Sequence, residues 1–255
     1  MQPGQDSFQR FELRADHYAR HRPTYPAALI DCLAQAQGWR AGLTVADVGS
    51  GTGIFTRLVL ERGPRVLAIE PGAAMRAQAE QQLAMFPGFV SIDATAETTT
   101  LPDGSVDAIV CAQAFHWFNH ERTRAEWQRI LRPGGSAALI WNIYDDRDAM
   151  TRDYLDVIYA SSPDARAVVG GATGCAWRNV LFDERRGRVE EFAQEQPLDL
   201  DGLLGRTESM SFAPKPGTAA HTSLLAGMGA VFRVHARDGR VRLAYRSVVV
   251  HGPLE

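Results

Sequence analysis

The chain has few cysteines, little charge bias and no long apolar run. Its 3 cysteines, Cys32, Cys111 and Cys175, are odd in number and scattered, and none forms a C-x-x-C pair. That pattern argues against a disulfide framework and fits a reduced compartment. Its 27 basic and 30 acidic residues leave a formal net charge of -3. With a pI of about 6.2, no global basic field draws it to nucleic acid. No apolar run is long enough to span a bilayer, and the first residues lack the apolar core of a signal peptide. There is no internal repeat and no low-complexity tract. The expectation is a cytoplasmic protein with neither a nucleic-acid nor a membrane partner. What the chain does have is core-forming capacity: 255 residues with 45% hydrophobic content can bury one substantial core. Leu254-Glu255 read as a tag remnant and carry no functional reading.

One stretch holds most of the functional signal. Val45-Ala46-Asp47-Val48-Gly49-Ser50-Gly51-Thr52-Gly53, followed by Ile54 to Leu60, reads as a buried strand, a glycine turn and a helix. The glycines allow positive φ and let a ligand approach bare backbone. Thr52 is placed to cap the helix, whose first turn would aim free N–H groups at that ligand. A second apolar run, Val66 to Ile69, ends in Glu70-Pro71-Gly72. A carboxylate at a strand tip, roughly 20 residues after the first glycine, is placed to grip the two hydroxyls of a ribose.

A dinucleotide fingerprint, G-x-G-x-x-G, needs its last glycine where helix and strand pack closely. Counted from Gly49 that position is Ile54, and counted from Gly51 it is Thr56. The spacing therefore disfavours an NAD-dependent oxidoreductase. The turn Asp47-x-Gly49-x-Gly51-x-Gly53 instead resembles the first signature of class I S-adenosylmethionine-dependent methyltransferases. Further matches follow in order. Ile92-Asp93-Ala94-Thr95-Ala96-Glu97 resembles the adenine-contacting loop after the third strand. Leu101-Pro102-Asp103-Gly104-Ser105-Val106-Asp107 resembles the turn before the fourth strand, Ala108 to Cys111. Leu131-Arg132-Pro133-Gly134-Gly135 resembles the turn before the fifth, Ala137 to Trp141. Thr95 departs from the family's acidic residue, so a backbone carbonyl or Asp93 would have to meet the adenine amino group. Tyr18-x-x-x-Arg22-Pro23-x-Tyr25-Pro26 and Gln113 to Phe118 narrow the resemblance to the type 11 branch, with its trans-aconitate-type small-molecule methyltransferases.

The resemblance implies a Rossmann-like α/β fold: a seven-stranded mixed sheet, helices on both faces and a helical cap. It implies S-adenosyl-L-methionine as cofactor, with S-adenosyl-L-homocysteine as product. Implied cofactor contacts are Asp47, Gly49, Ser50, Gly51, Gly53, Glu70, Pro71, Met75, Thr95, Ala96, Glu97 and Gln113. Tyr18 and Arg22, on a lid, would face the methionine end, with Arg22 able to pair with its carboxylate.

A single domain over 1–255 is expected. Its parts are an N-terminal lid and helix (1–40), a cofactor-binding core (44–142), a helical cap (147–182) and a C-terminal part of sheet and helices (188–251). The core alternates strand and helix, which implies a parallel sheet with right-handed crossovers. Asn119 is placed to cap a helix that holds Trp127 and Ile130.

Ligands of open parallel sheets bind beyond the carboxyl ends of the strands. That places Phe115, His116, Trp117, Trp141 and Tyr144 as candidate lining of an acceptor pocket, whose aromatic faces suit a sulfonium. The expected reaction is methyl transfer to a small molecule, with carboxylate or hydroxyl oxygen favoured. His116 is the candidate general base, or else a group that only orients the acceptor. An ionised carboxylate acceptor needs no base. No metal is expected: a helix starting at Asn119 need not put His116 and His120 on one face, and Asp145, Asp146 and Asp148 suit a helix start. A non-catalytic cofactor-binding protein is the alternative.

Overall fold

The computed structural model describes residues 22–161, 165–166, 181–182, 187–210 and 212–254. Tyr18, most of the expected lid and the 167–180 part of the expected cap lie outside these residues. The chain runs α1 (Ala27–Gln37), β1 (Thr44–Val48), α2 (Ile54–Leu60), β2 (Arg65–Ile69), α3 (Ala73–Leu83), β3 (Phe89–Ile92) and β4 (Val106–Ala112). A short 3-10 turn (Phe115–Trp117) then leads to α4 (His120–Ile130), β5 (Leu131–Tyr144) and α5 (Ala149–Ser161). β6 (Arg188–Leu198), α6 (Leu200–Glu208), α7 (Ala219–His235) and β7 (Val241–Pro253) complete it.

The 7 strands form one sheet in the order β3-β2-β1-β4-β5-β7-β6. The strands β1 to β5 are parallel, while β7 runs antiparallel to β5 and to β6. Strand order reverses between β1 and β4, so their carboxyl ends diverge into a crevice.

Successive strand residues point to opposite faces, and the sheet uses this to fill two cores. Ala46, Val48, Ile109, Cys111 and Leu139 pack with Trp127 and Ile130 of α4. Val45, Val66, Val110 and Ile140 pack instead with Leu29 and Leu33 of α1, Val59 of α2 and Leu83 of α3. Both faces being covered, the central strands read as nearly continuous apolar runs. A third cluster joins α5, α6, α7 and the start of β7 through Tyr154, Leu203, Met228 and Leu243. No described helix is long and apolar enough to cross a membrane.

Two local expectations are corrected. Pro133-Gly134-Gly135 is not a turn ahead of β5 but an irregularity inside it: Val106 pairs with Leu131 and Ala108 already with Ser136. Gly134, at φ 82°, gives the chain that bend. Thr52 does not cap α2. The cap position is Gly53, left-handed at φ 83°. The Thr52 hydroxyl is buried with no hydrogen-bond partner among the described residues. Asn119 does cap α4, its side chain accepting from the Arg122 N–H.

Candidate active site

Three glycines shape the turn after β1, and they need glycine for different reasons. A Cβ on Gly49 would stand 2.5 Å from the Cβ of Ala114 and 3.0 Å from the Phe118 ring. On Gly53 it would stand 2.7 Å from Leu83. On Gly51 it would meet nothing within 4 Å, because that position faces open space. All three have positive φ, which side chains disfavour.

Glu70, just past β2, holds this turn. Its Oε2 accepts from the Gly51 N–H (3.0 Å) and its Oε1 from the Gly72 N–H (2.8 Å). The Gly49 and Ser50 N–H groups donate to the carbonyl of Ile69 at 2.8 and 3.1 Å. Burial raises the Glu70 pKa, against the Gly72 and Gly51 N–H groups and Arg76, which lower it.

Asp47, on β1, is fully buried. Its Oδ2 accepts from the Thr56 hydroxyl at 2.6 Å. Its Oδ1 has no partner among the described residues, and the residue lines the cavity. Burial pushes its pKa up to about 7; the Thr56 bond opposes this and Glu70 adds to it. A carboxyl raised on folding stabilises the fold while protonated, fully so below its unfolded pKa of about 4. That stability is lost as pH rises through about 7. Asp47→Asn is therefore expected to flatten the fall in melting temperature of the ligand-free protein between those two values. A melting series in which wild type and variant keep the same slope contradicts this.

The cavity runs along the carboxyl ends of β1, β4 and β5. Ser50, Gly51, Gln113, His116, Trp117, Arg22 and Tyr25 are among its lining. Gln113 is itself left-handed at φ 61°, and its N–H donates to Ile140 at 2.9 Å. Holding a non-glycine there costs about 1–2 kcal/mol, the kind of strain that collects at functional sites. Trp117, 41% exposed, sits at the mouth. Arg22 donates to the carbonyl of Ser209 at 3.2 Å. The Thr24 carbonyl accepts from Asn142 (3.0 Å) and Gln194 (2.7 Å), which fastens the segment before α1 to the sheet.

His116 lines the cavity, and its Nδ1 is buried without a partner among the described residues. Burial, then Arg22 and His120, lower its pKa to about 4. The imidazole is therefore neutral near pH 7.

Not every expected residue gathers here. Tyr144 lines the cavity, but Phe115 and Trp141 do not. Both are fully buried in the core under α4. Trp141 lies on the core-facing side of β5, and Phe115 stacks on His120 with centroids 4.9 Å apart. Glu97 accepts from the Asn119 N–H at 2.8 Å, tying its loop to α4. Asp93 is held by Arg76 at 2.7 and 3.0 Å. Thr95 is exposed, Ala96 and Met75 are buried, and the Pro71 carbonyl accepts from Arg76. Asp145 pairs with Arg147, and Asp148 accepts from the Thr151 N–H at the start of α5.

The cavity also draws in residues that sequence reasoning missed: Asn142, Arg206, Met210, Phe212 and Tyr245. Arg206 did leave a signal. It lies three residues after Leu203, a cation on the buried face of its helix.

Residues 46–139 match the model of a methyltransferase domain family. A solved structure of a candidate type II methyltransferase from Anaeromyxobacter dehalogenans has a TM-score of 0.70 and 27% identity, over 91% of this chain and 97% of that one. The core is a class I S-adenosylmethionine-dependent methyltransferase domain. S-adenosylmethionine is the cofactor of this family. An uncharacterized methyltransferase of Mycobacterium tuberculosis is 40% identical over 141 residues, 55% of this chain and 55% of that protein. One from Schizosaccharomyces pombe is 31% identical over 137 residues, 53% of this chain and 52% of that protein. The chain thus spans about half the length of the curated relatives it matches.

Proposed function

We propose that this methyltransferase moves a methyl group from S-adenosylmethionine to an oxygen of a small acceptor. The observation that carries the reading is the Gly49–Gly53 turn, fastened to Glu70 and opening onto a cavity that continues to His116 and Tyr144. The residues fit the cofactor. A carboxylate has about four acceptor sites. Two on Glu70 are taken by backbone N–H groups, which leaves two for a ribose diol. The open space at Gly51 admits the ligand, and the orphaned Oδ1 of Asp47 offers an acceptor to its ammonium group. Arg22 is placed to receive the methionine carboxylate.

When bound, the cofactor supplies an electrophilic methyl group on a sulfonium. The protein's part is in-line positioning and exclusion of water. His116, neutral near pH 7, orients the acceptor through a hydrogen bond; a base with a pKa of about 4 is poorly matched to neutral operation. His116→Ala is expected to lower turnover roughly ten- to a hundredfold, the worth of a hydrogen bond to a charged group, with S-adenosylhomocysteine affinity intact. The wild-type rate should show no His116-dependent inflection near neutrality. A pH profile with such an inflection, absent from the variant, would restore His116 as a base.

The reading is tested with methyl-labelled S-adenosylmethionine and a panel of small carboxylic acids and hydroxylated compounds. Label should appear in a small molecule. Tight S-adenosylhomocysteine binding without transfer to any acceptor would favour a cofactor-binding protein instead.

A further inference from the structure

We infer that the acceptor carries a carboxylate, and that Arg206 on α6 holds it. This rests on the methyl-transfer reading and names the class of its substrate. Arg206 is only 3% exposed, yet it lines the cavity. All three of its hydrogen bonds go to neutral hydroxyls: Nε to Tyr245 (3.3 Å), Nη1 to Ser209 (3.4 Å) and Nη2 to Tyr144. None of the ion pairs among the described residues includes it.

A guanidinium stays charged at any pH the fold survives, and it carries five N–H donors. Three are engaged. The two that remain sit one on each terminal nitrogen, which suits the two oxygens of a carboxylate. A buried charge without a counter-ion destabilises a fold. Filling the same space with an apolar side chain, as Leu203 does one turn earlier, would avoid that penalty. The ring of Tyr144, whose centroid is 5.5 Å from the guanidinium carbon, fixes the group in place. The arrangement is a cation held ready at a cavity wall with its counter-ion left to the ligand.

Position assigns that ligand to the acceptor rather than the cofactor. Glu70 follows β2, whereas the Arg206 partners Tyr144 and Tyr245 belong to β5 and β7. In the sheet order, β5 lies three strands beyond β2, about 14 Å at 4.7–4.9 Å per strand. A cofactor gripped by its ribose at Glu70 reaches the β1 and β4 ends first. Arg206 stands toward β5 and β7, where it shares Ser209 with Arg22: Arg206 donates to the Ser209 hydroxyl and Arg22 to the Ser209 carbonyl. Cofactor affinity in the Arg206 variants therefore separates the acceptor's carboxylate from the cofactor's.

The test compares wild type, Arg206→Met and Arg206→Lys. Calorimetry with S-adenosylhomocysteine gives cofactor affinity, and a thermal melt gives folding. Label transfer is scored on a panel of hydroxy acids and dicarboxylic acids, each paired with its neutral amide. The expected result is transfer to acids at least a hundredfold faster than to their amides. Arg206→Met should lose about a hundredfold in kcat/KM. It should keep wild-type S-adenosylhomocysteine affinity and melt no lower, the lone buried charge being gone. Arg206→Lys, which keeps the charge and loses the fork, should lie between the two. If Arg206→Met fails to fold, an unchanged kcat/KM in Arg206→Lys overturns the inference. Equal rates on acids and amides overturn it, as does full activity of folded Arg206→Met. A parallel fall in S-adenosylhomocysteine affinity also overturns it, since the guanidinium then serves the cofactor's own carboxylate. Wild type that binds S-adenosylhomocysteine but methylates no acid contradicts this inference alone. Wild type that does not bind S-adenosylhomocysteine contradicts the methyltransferase reading beneath it.

Discussion

Glu70→Ala is expected to weaken S-adenosylhomocysteine binding about ten- to a hundredfold, because hydrogen bonds to a charged group contribute about 1.5–3 kcal/mol. Two losses combine. On the proposed binding mode the ribose hydroxyls lose their acceptor, and the Gly51 and Gly72 N–H groups lose theirs. The second loss also loosens the turn before any ligand arrives. Glu70→Gln separates them, since its single amide oxygen can still satisfy one N–H group but no longer carries charge. It should fall between wild type and the alanine variant. A folded Glu70→Ala protein with an unchanged dissociation constant would remove Glu70 from the site.

Gly49→Ala and Gly51→Ala should behave differently although they lie two residues apart. Each puts a side chain at positive φ, at a cost of about 1–2 kcal/mol. Gly49→Ala also drives a methyl into Ala114 and Phe118 at 2.5 and 3.0 Å. The Ala114 Cβ moves only with its own backbone, so relief is limited, and overpacking of this kind adds about 1–3 kcal/mol. The total is a large part of a typical folding stability of about 5–15 kcal/mol. Gly51→Ala meets no protein atom within 4 Å. It should lose only about 1–2 kcal/mol, the cost of the positive φ, and bind S-adenosylhomocysteine at least tenfold more weakly, because on the proposed reading its methyl occupies the ligand's space. Denaturant unfolding of both variants, with calorimetry on each, checks the contrast. Equal stability loss in the two, or undiminished binding by Gly51→Ala, contradicts the roles given to the turn.

The parts of the fold that were legible in the sequence are local. The glycine turn, the acid after β2 and the Asn119 cap each arise from a few consecutive residues whose backbone needs are fixed by chemistry. Errors came where one residue decides the direction of a side chain. Thr52 loses the cap to Gly53 because the left-handed glycine already starts the helix. Phe115 and His116 are neighbours, yet the turn between β4 and α4 sends one to the core and the other to the cavity. Trp141 and Tyr144 are three residues apart on β5, so they face opposite sides. The far wall of the cavity was illegible for another reason. Arg206 meets Tyr144 across 62 residues and Tyr245 across 39, and no local pattern reports such a meeting. The depressed pKa of His116 is likewise a product of tertiary burial and of Arg22, which lies far away in sequence.

The most direct test of the central claim is calorimetry of the purified chain with S-adenosylhomocysteine and, separately, with NAD. The turn, Glu70 and the open space at Gly51 predict saturable S-adenosylhomocysteine binding at one site per chain and no comparable NAD binding. Tight NAD binding with no S-adenosylhomocysteine binding would contradict the account.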